Sequence, residues 1–421
     1  MQSSDTKELF SPVLGKFHEL EIKSASGCYV FDKSGNKFLD FGSGIAVAST
    51  GHCHPDVVAA IQKQAAELIH PCIAIGFCDA LIDCANAILD IMKNDEYQIF
   101  FDQTGTGAVE AALKLAKFVT QKHKIIAFHG GFHGRSMGSL SVTTSKMSYR
   151  ENIGPMLDGV SFFPYPYCYR CPWDKEKTSC NLECKTELLN SALFTDDVAA
   201  VIIEPTLGEG GYSPAPKEFL QELANLCKQK NILLILDEIQ TGIGRTGTWF
   251  NFEQSDLVPD IVVTAKGLGS GVPISACIAK KSIMSQWSTG AHGGTYGGNP
   301  VSCAATTATL KVISSTLEQI QPLSIFAEQY LNDKLKNNPY IGDIRVMGLM
   351  IGLELVENKQ NKAPFPKMLT DILQRALKKK LILISCGIHF NVIRLAPPLI
   401  ITKKELETGL AILCELLNDY N

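Results

Sequence analysis

Between residues 98 and 300 the chain alternates short apolar runs with segments of helical periodicity, and this alternation constrains its fold more than any other feature. The runs fall at 98–101, 125–128, 201–203, 232–236 and 261–264, and glycine-rich turns follow most of them. Apolar stretches this short, bounded by such turns, read as buried strands rather than buried helices. Strands alternating with helices predict an α/β fold with a mostly parallel central sheet covered by helices on its faces. In open sheets of that kind ligands bind beyond the carboxyl ends of the strands. The residues that close each run are therefore where chemistry is expected.

Two runs close on groups that packing does not ask for. The run 232–236 leads into Asp237, Glu238, Ile239 and Gln240, and the run 261–265 leads into Lys266 and a Gly267-Leu268-Gly269-Ser270-Gly271 turn. An acid on one strand end and an amine on another suit a carbonyl cofactor that forms a Schiff base with lysine and carries a ring nitrogen needing a carboxylate. Pyridoxal 5′-phosphate (PLP) has that requirement.

The bulk properties bound the alternatives. With 421 residues the chain is long enough for a large core and two or three domains. A hydrophobic content of 45%, a charged content of 19% and a net charge of −4 describe an ordinary globular protein. No basic run points to nucleic acid, and Lys378-Lys379-Lys380 reads as the solvated end of a helix. Residues 1–10 are polar with acidic members and do not read as a signal peptide, and no apolar stretch approaches the roughly 20 residues of a membrane span. Fourteen cysteines without a secretory signal imply a reducing compartment, so a cytoplasmic enzyme is expected.

Three further strand ends carry polar chemistry. Gln103-Thr104-Gly105-Thr106-Gly107 precedes a helix with Val109, Ala112, Leu113 and Ala116 on one face, and the amides of such a helix start form an anion site. The stretch is not a P-loop, because no Gly-Lys-Ser/Thr triplet follows. Gly130-Gly131-Phe132-His133-Gly134-Arg135 offers an aromatic that can stack on a flat ring and an arginine that can grip a carboxylate. Core packing and a surface ion pair are the plainer readings of Phe132 and Arg135. Glu204 and Glu209 follow the third strand, and a buried carboxylate needs a partner, for which Arg394 is the candidate. Cys168, Cys171, Cys180 and Cys184 form a C-x2-C-x8-C-x3-C pattern that can hold zinc. The gap between the pairs is shorter than in common zinc modules, so free thiols are expected and no metal is assigned.

In order and spacing these segments resemble the class III (ω-amino acid) aminotransferases, PLP enzymes of fold type I, over nearly the whole chain. The resemblance implies that Lys266 is the cofactor-binding lysine, that Asp237 pairs with the pyridine nitrogen, and that Gln240 bonds the ring hydroxyl. It places Phe132 and His133 against the cofactor and Gly105 and Thr106 in its phosphate cup. Thr295, in Gly294-Thr295-Tyr296-Gly297-Gly298-Asn299-Pro300, matches a threonine that reaches the phosphate of a neighbouring subunit, which implies a homodimer with shared active sites. Within the class the chain is most similar to bacterial 4-aminobutyrate aminotransferases. That likeness makes Ile45 an apolar substrate contact, Arg135 the substrate-carboxylate arginine supported by Glu204, and Glu209 with Arg394 a gate that lets one site accept two substrates.

The implied reaction transfers the amino group of an ω-amino acid, 4-aminobutyrate favoured, to 2-oxoglutarate by a ping-pong route. A PLP-dependent racemase or epimerase and an acetylornithine- or ornithine-type aminotransferase remain open on the same scaffold. Gly107 departs from the acidic residue usual in the Ser-Gly-Thr-Glu motif, which predicts a loosened helix start. Thr206-Leu207 replaces the more usual Val-Gln. The cysteine-bearing insertion is similar to a side branch that includes broad-range ω-aminotransferases and racemases. Three units are expected: an N-terminal segment over 1–55 with a hairpin, packing with the small domain; a large PLP-binding domain over 56–305; and a small α+β domain over 306–421. Pro55 opens a helix whose apolar face is expected to carry Val58, Ile61, Ala65 and Leu68.

Overall fold

The computed structural model describes residues 9–93, 96–176 and 178–420, so the polar stretch 1–10 lies outside it apart from Leu9 and Phe10. Among the described residues the centre of the molecule is a seven-stranded sheet. Its strands are β1 (Tyr97–Asp102), β2 (Lys124–Phe128), β3 (Val160–Phe163), β4 (Val198–Ile203), β5 (Leu233–Asp237), β6 (Ile261–Thr264) and β7 (Ser275–Lys280), in the spatial order β1-β7-β6-β5-β4-β2-β3. The pairs β6–β5, β5–β4, β4–β2 and β2–β3 are parallel, whereas β7 runs antiparallel to both β6 and β1. Each of the five apolar runs falls on a strand. The sequence reading did not include β3 and β7.

The sheet is buried on both faces, which is why its strands read as continuous apolar runs rather than alternating ones. Every residue of β4 and β6 is buried. Side chains still alternate between the two faces. Ile235 joins a cluster with Val109, Ala112 and Leu115 of the helix Gly105–Thr120, while Leu234 and Leu236 join one with Phe219, Leu223 and Leu226 of the helix Lys217–Gln229. The stripe Val109, Ala112, Leu113 and Ala116 is buried, as its spacing requires.

Helix Pro300–Leu335 leaves the sheet region and runs on into the C-terminal part without a break. Its start is fixed by Pro300 in the first turn and by the Asn299 side chain, which accepts from the Val301 and Ser302 amides at 3.0 and 3.4 Å. Beyond it, Ile341–Met347, Met350–Asn358, Val392–Leu395 and Ile384–Cys386 form an antiparallel sheet. The N-terminal strands Ile22–Ser26, Tyr29–Asp32 and Lys37–Asp40 form a second one, which Leu381–Ile382 joins in parallel.

The helix Pro55–Glu67 departs from its expected packing. It lies on the helix Pro300–Leu335 with Val57 buried, Val58 and Ile61 half-buried, and Ala65 and Leu68 exposed. The apolar stripe is present, but within the single chain little covers its far end. No helix among the described residues is long and apolar enough to cross a membrane.

Candidate active site at the strand ends

β5 ends at Asp237 and β6 ends two residues before Lys266, with Val263 of β6 paired to Asp237. Both side chains open on one cavity of about 370 Å³. Gly105, Thr106, Phe132, His133, Arg135, Glu204 and Gln240 line the same cavity. Groups separated by up to 161 positions in the chain are thus brought together where an α/β sheet places ligands.

Lys266 is held in left-handed backbone geometry at φ +46°, a strained arrangement of the kind that persists only where the surroundings fix it. Burial disfavours its ammonium and the charge of Arg394 adds to the effect, against the pull of Glu204, Glu209 and Asp237, so its pKa falls from 10.5 to about 8. About a tenth of this amine is therefore neutral and nucleophilic at pH 7, against far less for an ordinary lysine.

Asp237 is fixed from two sides. Its Oδ2 accepts from His133 Nδ1 at 2.7 Å and its Oδ1 accepts from the Ile239 amide at 3.1 Å. Burial alone would lower the His133 pKa, but the hydrogen bond and charge of Asp237, helped by Glu204, raise it instead. The His133 backbone is held in turn by Thr143 Oγ1 at 2.9 Å.

The start of helix Gly105–Thr120 is an open anion cradle. Thr104 caps it by accepting from the Gly107 amide at 3.1 Å, and the Gly105 and Thr106 amides have no protein acceptor among the described residues. Gly134 stands against this turn at φ +131°, where a Cβ would lie 2.3 Å from Thr106 Oγ1. The Thr106 hydroxyl itself is engaged with Ser136 and Ser139. The expected loosening at Gly107 is offset, because Asp102 Oδ1 accepts from the Gln103 and Thr104 amides at 2.6 and 3.1 Å.

Glu204 does not sit on Arg135. Its two oxygens accept from the Phe132 and Gly208 amides, each at 2.8 Å, since a fully buried carboxylate takes the backbone donors of the turns beside it. Burial and the nearby charge of Asp237, opposed by His133, bring its pKa up to about 7. Arg135 is exposed at the cavity, stacked 5.6 Å from the Tyr149 ring, with no carboxylate partner among the described residues.

Gln240 connects the cavity to a second arginine. Its Oε1 accepts from Tyr212 Oη at 2.9 Å and from Arg394 Nη1 at 3.4 Å. Arg394 is buried and reaches Glu209 Oε2 at 3.3 Å, while Glu209 Oε1 lies 2.5 Å from Lys146 Nζ. Burial opposes the charge on Glu209, but Arg394 and Lys146 together keep its pKa below the usual carboxylate range. Sequence reasoning named Glu209 and Arg394 and missed Lys146, Tyr212 and Asp102, whose signal is only a polar residue near a site segment.

Ile45 and Thr295 do not line this cavity. Ile45 lies in a left-handed turn running from Ser43 to Ala46, with φ between +45° and +67°, and is 42% exposed. Thr295 is exposed on the segment before the long helix. Cys168, Cys171, Cys180 and Cys184 all face one cavity of about 180 Å³, and none of them is in a disulfide. Among the described residues no three cysteine, histidine or acidic side chains converge as a metal ion requires.

The residues present fit PLP: orphan amides for a phosphate, a buried carboxylate for a ring nitrogen, and a buried amine of lowered pKa for an aldehyde. Comparison with known proteins agrees. Residues 12–417 match the family model described as "Aminotransferase class-III". A 5-aminovalerate aminotransferase of Pseudomonas aeruginosa is 38% identical, over 96% of this chain and 95% of that protein. A 4-aminobutyrate aminotransferase of Escherichia coli is 34% identical over 96% and 95%. An alanine/serine racemase of Pyrococcus horikoshii is 36% identical over 98% and 89%. An amine transaminase from an uncultivated Pseudomonas species, solved in its PLP-bound form, superposes with a TM-score of 0.90 at 28% identity, over 97% of this chain and 98% of that one.

Proposed function

The chain belongs to the class III aminotransferase family, whose members depend on PLP, and from that premise we propose that it moves the amino group of a short ω-amino acid to 2-oxoglutarate by a ping-pong reaction. 4-Aminobutyrate is the favoured donor. The observation that carries this reading is a pair of unlike arginines around one buried lysine. Arg135 faces the cavity without an ion pair among the described residues, whereas Arg394 is buried and touches Glu209. An ω-amino acid offers a single carboxylate far from its amine, which suits one open arginine. 2-Oxoglutarate offers two, and needs the second.

Bound in this cavity, PLP supplies an electron sink for the pair released when the substrate C–H bond breaks. The protein supplies the rest. The Gly105 and Thr106 amides hold the phosphate at the helix start. Phe132 would lie against the ring, and Gln240, its Oε1 already engaged by Tyr212 and Arg394, would offer Nε2 to the ring hydroxyl. Asp237, oriented by His133, keeps the ring nitrogen protonated. The Lys266 amine would hold the cofactor by its aldehyde and, once freed by the incoming amine, would carry the proton that leaves the substrate carbon, acting as base and then acid. Arg135 binds the distal carboxylate of either substrate, and Arg394 takes the α-carboxylate of the 2-oxo acid.

The same reading includes a homodimer. Leu68, Ile69, Ile73, Ile75 and Phe77 are exposed along one stretch, and Ile45 and Tyr296 are exposed as well. Apolar surface of this extent is a mark of an interface. A second copy over it would cover Ile45 and Thr295, which have no role in their own chain's cavity, and could bring them to the other site.

The test is the visible absorbance of the PLP-loaded protein before and after 4-aminobutyrate is added without an oxo acid. Replacement of the cofactor's aldehyde-form band by its amine-form band supports the donor half-reaction. An unchanged spectrum, together with inversion of an α-amino acid, would move the assignment to racemisation.

A further inference from the structure

Among the described residues Glu209 has two ion-pair partners, and the closer one is not the arginine. Lys146 Nζ lies 2.5 Å from Oε1, while Arg394 Nη1 lies 3.3 Å from Oε2. Lys146 reaches inward from the stretch between the short helix Met137–Ser141 and the turn Met147–Tyr149. It passes over the rings of Tyr149 and Phe390, at 5.6 and 5.1 Å. Its side chain and that of Glu209 are only 13% and 12% exposed, so the pair is shielded from water. The backbone at Glu209 is fixed as well, because its carbonyl accepts from the Gly387 amide at 2.9 Å.

The consequence falls on Arg394. A carboxylate and a guanidinium with nothing between them settle into two parallel hydrogen bonds. Here the contact is one-pronged, and the same Nη1 is shared with Gln240 Oε1 at 3.4 Å. Arg394 Nε and Nη2 are buried and have no hydrogen-bond partner among the described residues. Buried donors of a charged group are costly to leave unmade, and an arriving carboxylate satisfies both at once.

We propose that Lys146 is a specificity-determining residue that holds Glu209 on its own side of the site, so that Arg394 stays available to a second carboxylate. When a dicarboxylate enters, Arg394 gives up a single long contact, and Glu209 stays paired with Lys146 instead of being left as an isolated buried charge. Without Lys146, Arg394 is the cation left in contact with Glu209 among the described residues, and the two close into the two-pronged pair. Lys146 thus sets how readily the site accepts an acid with two carboxylates relative to an acid with one. This inference rests on the reading of Arg135 and Arg394 as carboxylate anchors.

The experiment measures dissociation constants of glutarate and butyrate for the PLP-loaded protein by calorimetry, which does not depend on turnover. Glutarate engages both arginines and butyrate engages one. In Lys146→Met, glutarate should weaken about tenfold more than butyrate, the value of one charge-assisted contact, and Lys146→Arg should restore the ratio. In the Glu209→Gln background, Lys146→Met should no longer change the ratio, because the carboxylate it restrains is gone. An unchanged ratio in Lys146→Met overturns the inference, as does a change that persists undiminished beside Glu209→Gln, which would make Lys146 a direct ligand of the acid. If the unsubstituted protein binds glutarate no better than butyrate, it is the reading of the two arginines that fails, and the role of Lys146 falls with it.

Discussion

Asp102 occupies the space that a side chain at Gly107 would need: a Cβ at 107 would lie 2.2 Å from Asp102 Oδ1. In a capping box the third helical residue sends a carboxylate back to the N-cap amide. Here Thr104 is the N-cap and residue 107 the third helical position, yet the carboxylate that receives the Thr104 amide belongs to Asp102, two residues before the cap. The chain has transposed the acid from the helix to the strand end, and glycine at 107 is the counterpart of that transposition.

Gly107→Glu alone should therefore destabilise the protein by about 1–3 kcal/mol through overpacking, and Asp102→Ala alone by about 1 kcal/mol through loss of the amide partners. The double variant should lose less than the sum, since the glutamate then finds the space and the amide that Asp102 gave up. Thermal or denaturant unfolding of the three variants checks this. Strictly additive losses would show that the two positions are not exchanging one carboxylate.

Asp237 and His133 predict a separate loss, in rate rather than stability. Asp237→Asn keeps the shape but removes the charge we propose faces the ring nitrogen, so kcat should fall by about 10²–10³ with KM little changed. His133→Asn leaves that charge in place and loses only its orientation at 2.7 Å, so its fall should be smaller, about tenfold. Steady-state kinetics of the two variants decides the order. Equal losses would make His133 as necessary as the carboxylate it orients.

The lowered pKa of Lys266, about 8 against 10.5, fixes the direction of a pH dependence in the cofactor-free protein. Below about pH 8 the neutral fraction falls tenfold per unit, so capture of PLP should slow accordingly and level off above that pH. The stability effect has the opposite sign to that of a stabilised lysine. Between about pH 8 and 10.5 the unfolded chain binds the proton that the folded chain has released, so this group's contribution rises with pH across that window. Lys266→Met should remove that slope, as read by denaturant unfolding at a series of pH values. A slope that survives the substitution would assign it to other groups.

The chemistry-bearing residues were legible where they close a strand, because a buried apolar run must end and any polar group at its end is conspicuous. Asp237, Lys266 and Glu204 were read that way, and the five runs gave the core of the sheet. Residues whose role depends on a tertiary neighbour were not. Lys146 is an ordinary lysine until Glu209 folds beside it, and Asp102 is an ordinary strand-end acid until the fold sets its carboxylate against Gly107. The resemblance set Glu204 beside Arg135, but a likeness of motifs carries no contact geometry, and burial gives its carboxylate to backbone amides instead. β7 escaped notice because Ser275-Ala276-Cys277 is neither strongly apolar nor β-branched. The stripe Val58, Ile61, Ala65 and Leu68 was read correctly as apolar, but periodicity does not say whether the same chain covers it.

That uncovered surface yields the last prediction. If two copies meet there and exchange Thr295, a chain lacking Lys266 and a chain lacking the Thr295 hydroxyl are defective in different halves of a shared site. Lys266→Ala homodimers should be inactive, and Thr295→Ala homodimers should bind PLP less tightly, by about tenfold for one lost phosphate contact. In a hybrid of the two, one site combines the intact Lys266 of one chain with the intact Thr295 of the other, and its partner site has neither. Random association makes half the dimers hybrids, each with one sound site, so co-expression should restore about a quarter of the unsubstituted activity at limiting PLP. Sites complete within one chain predict a different result. A mixture of the same two chains would then show only the activity contributed by the Thr295→Ala chain, unchanged by hybrid formation and rising to about half that of the unsubstituted protein as PLP is raised.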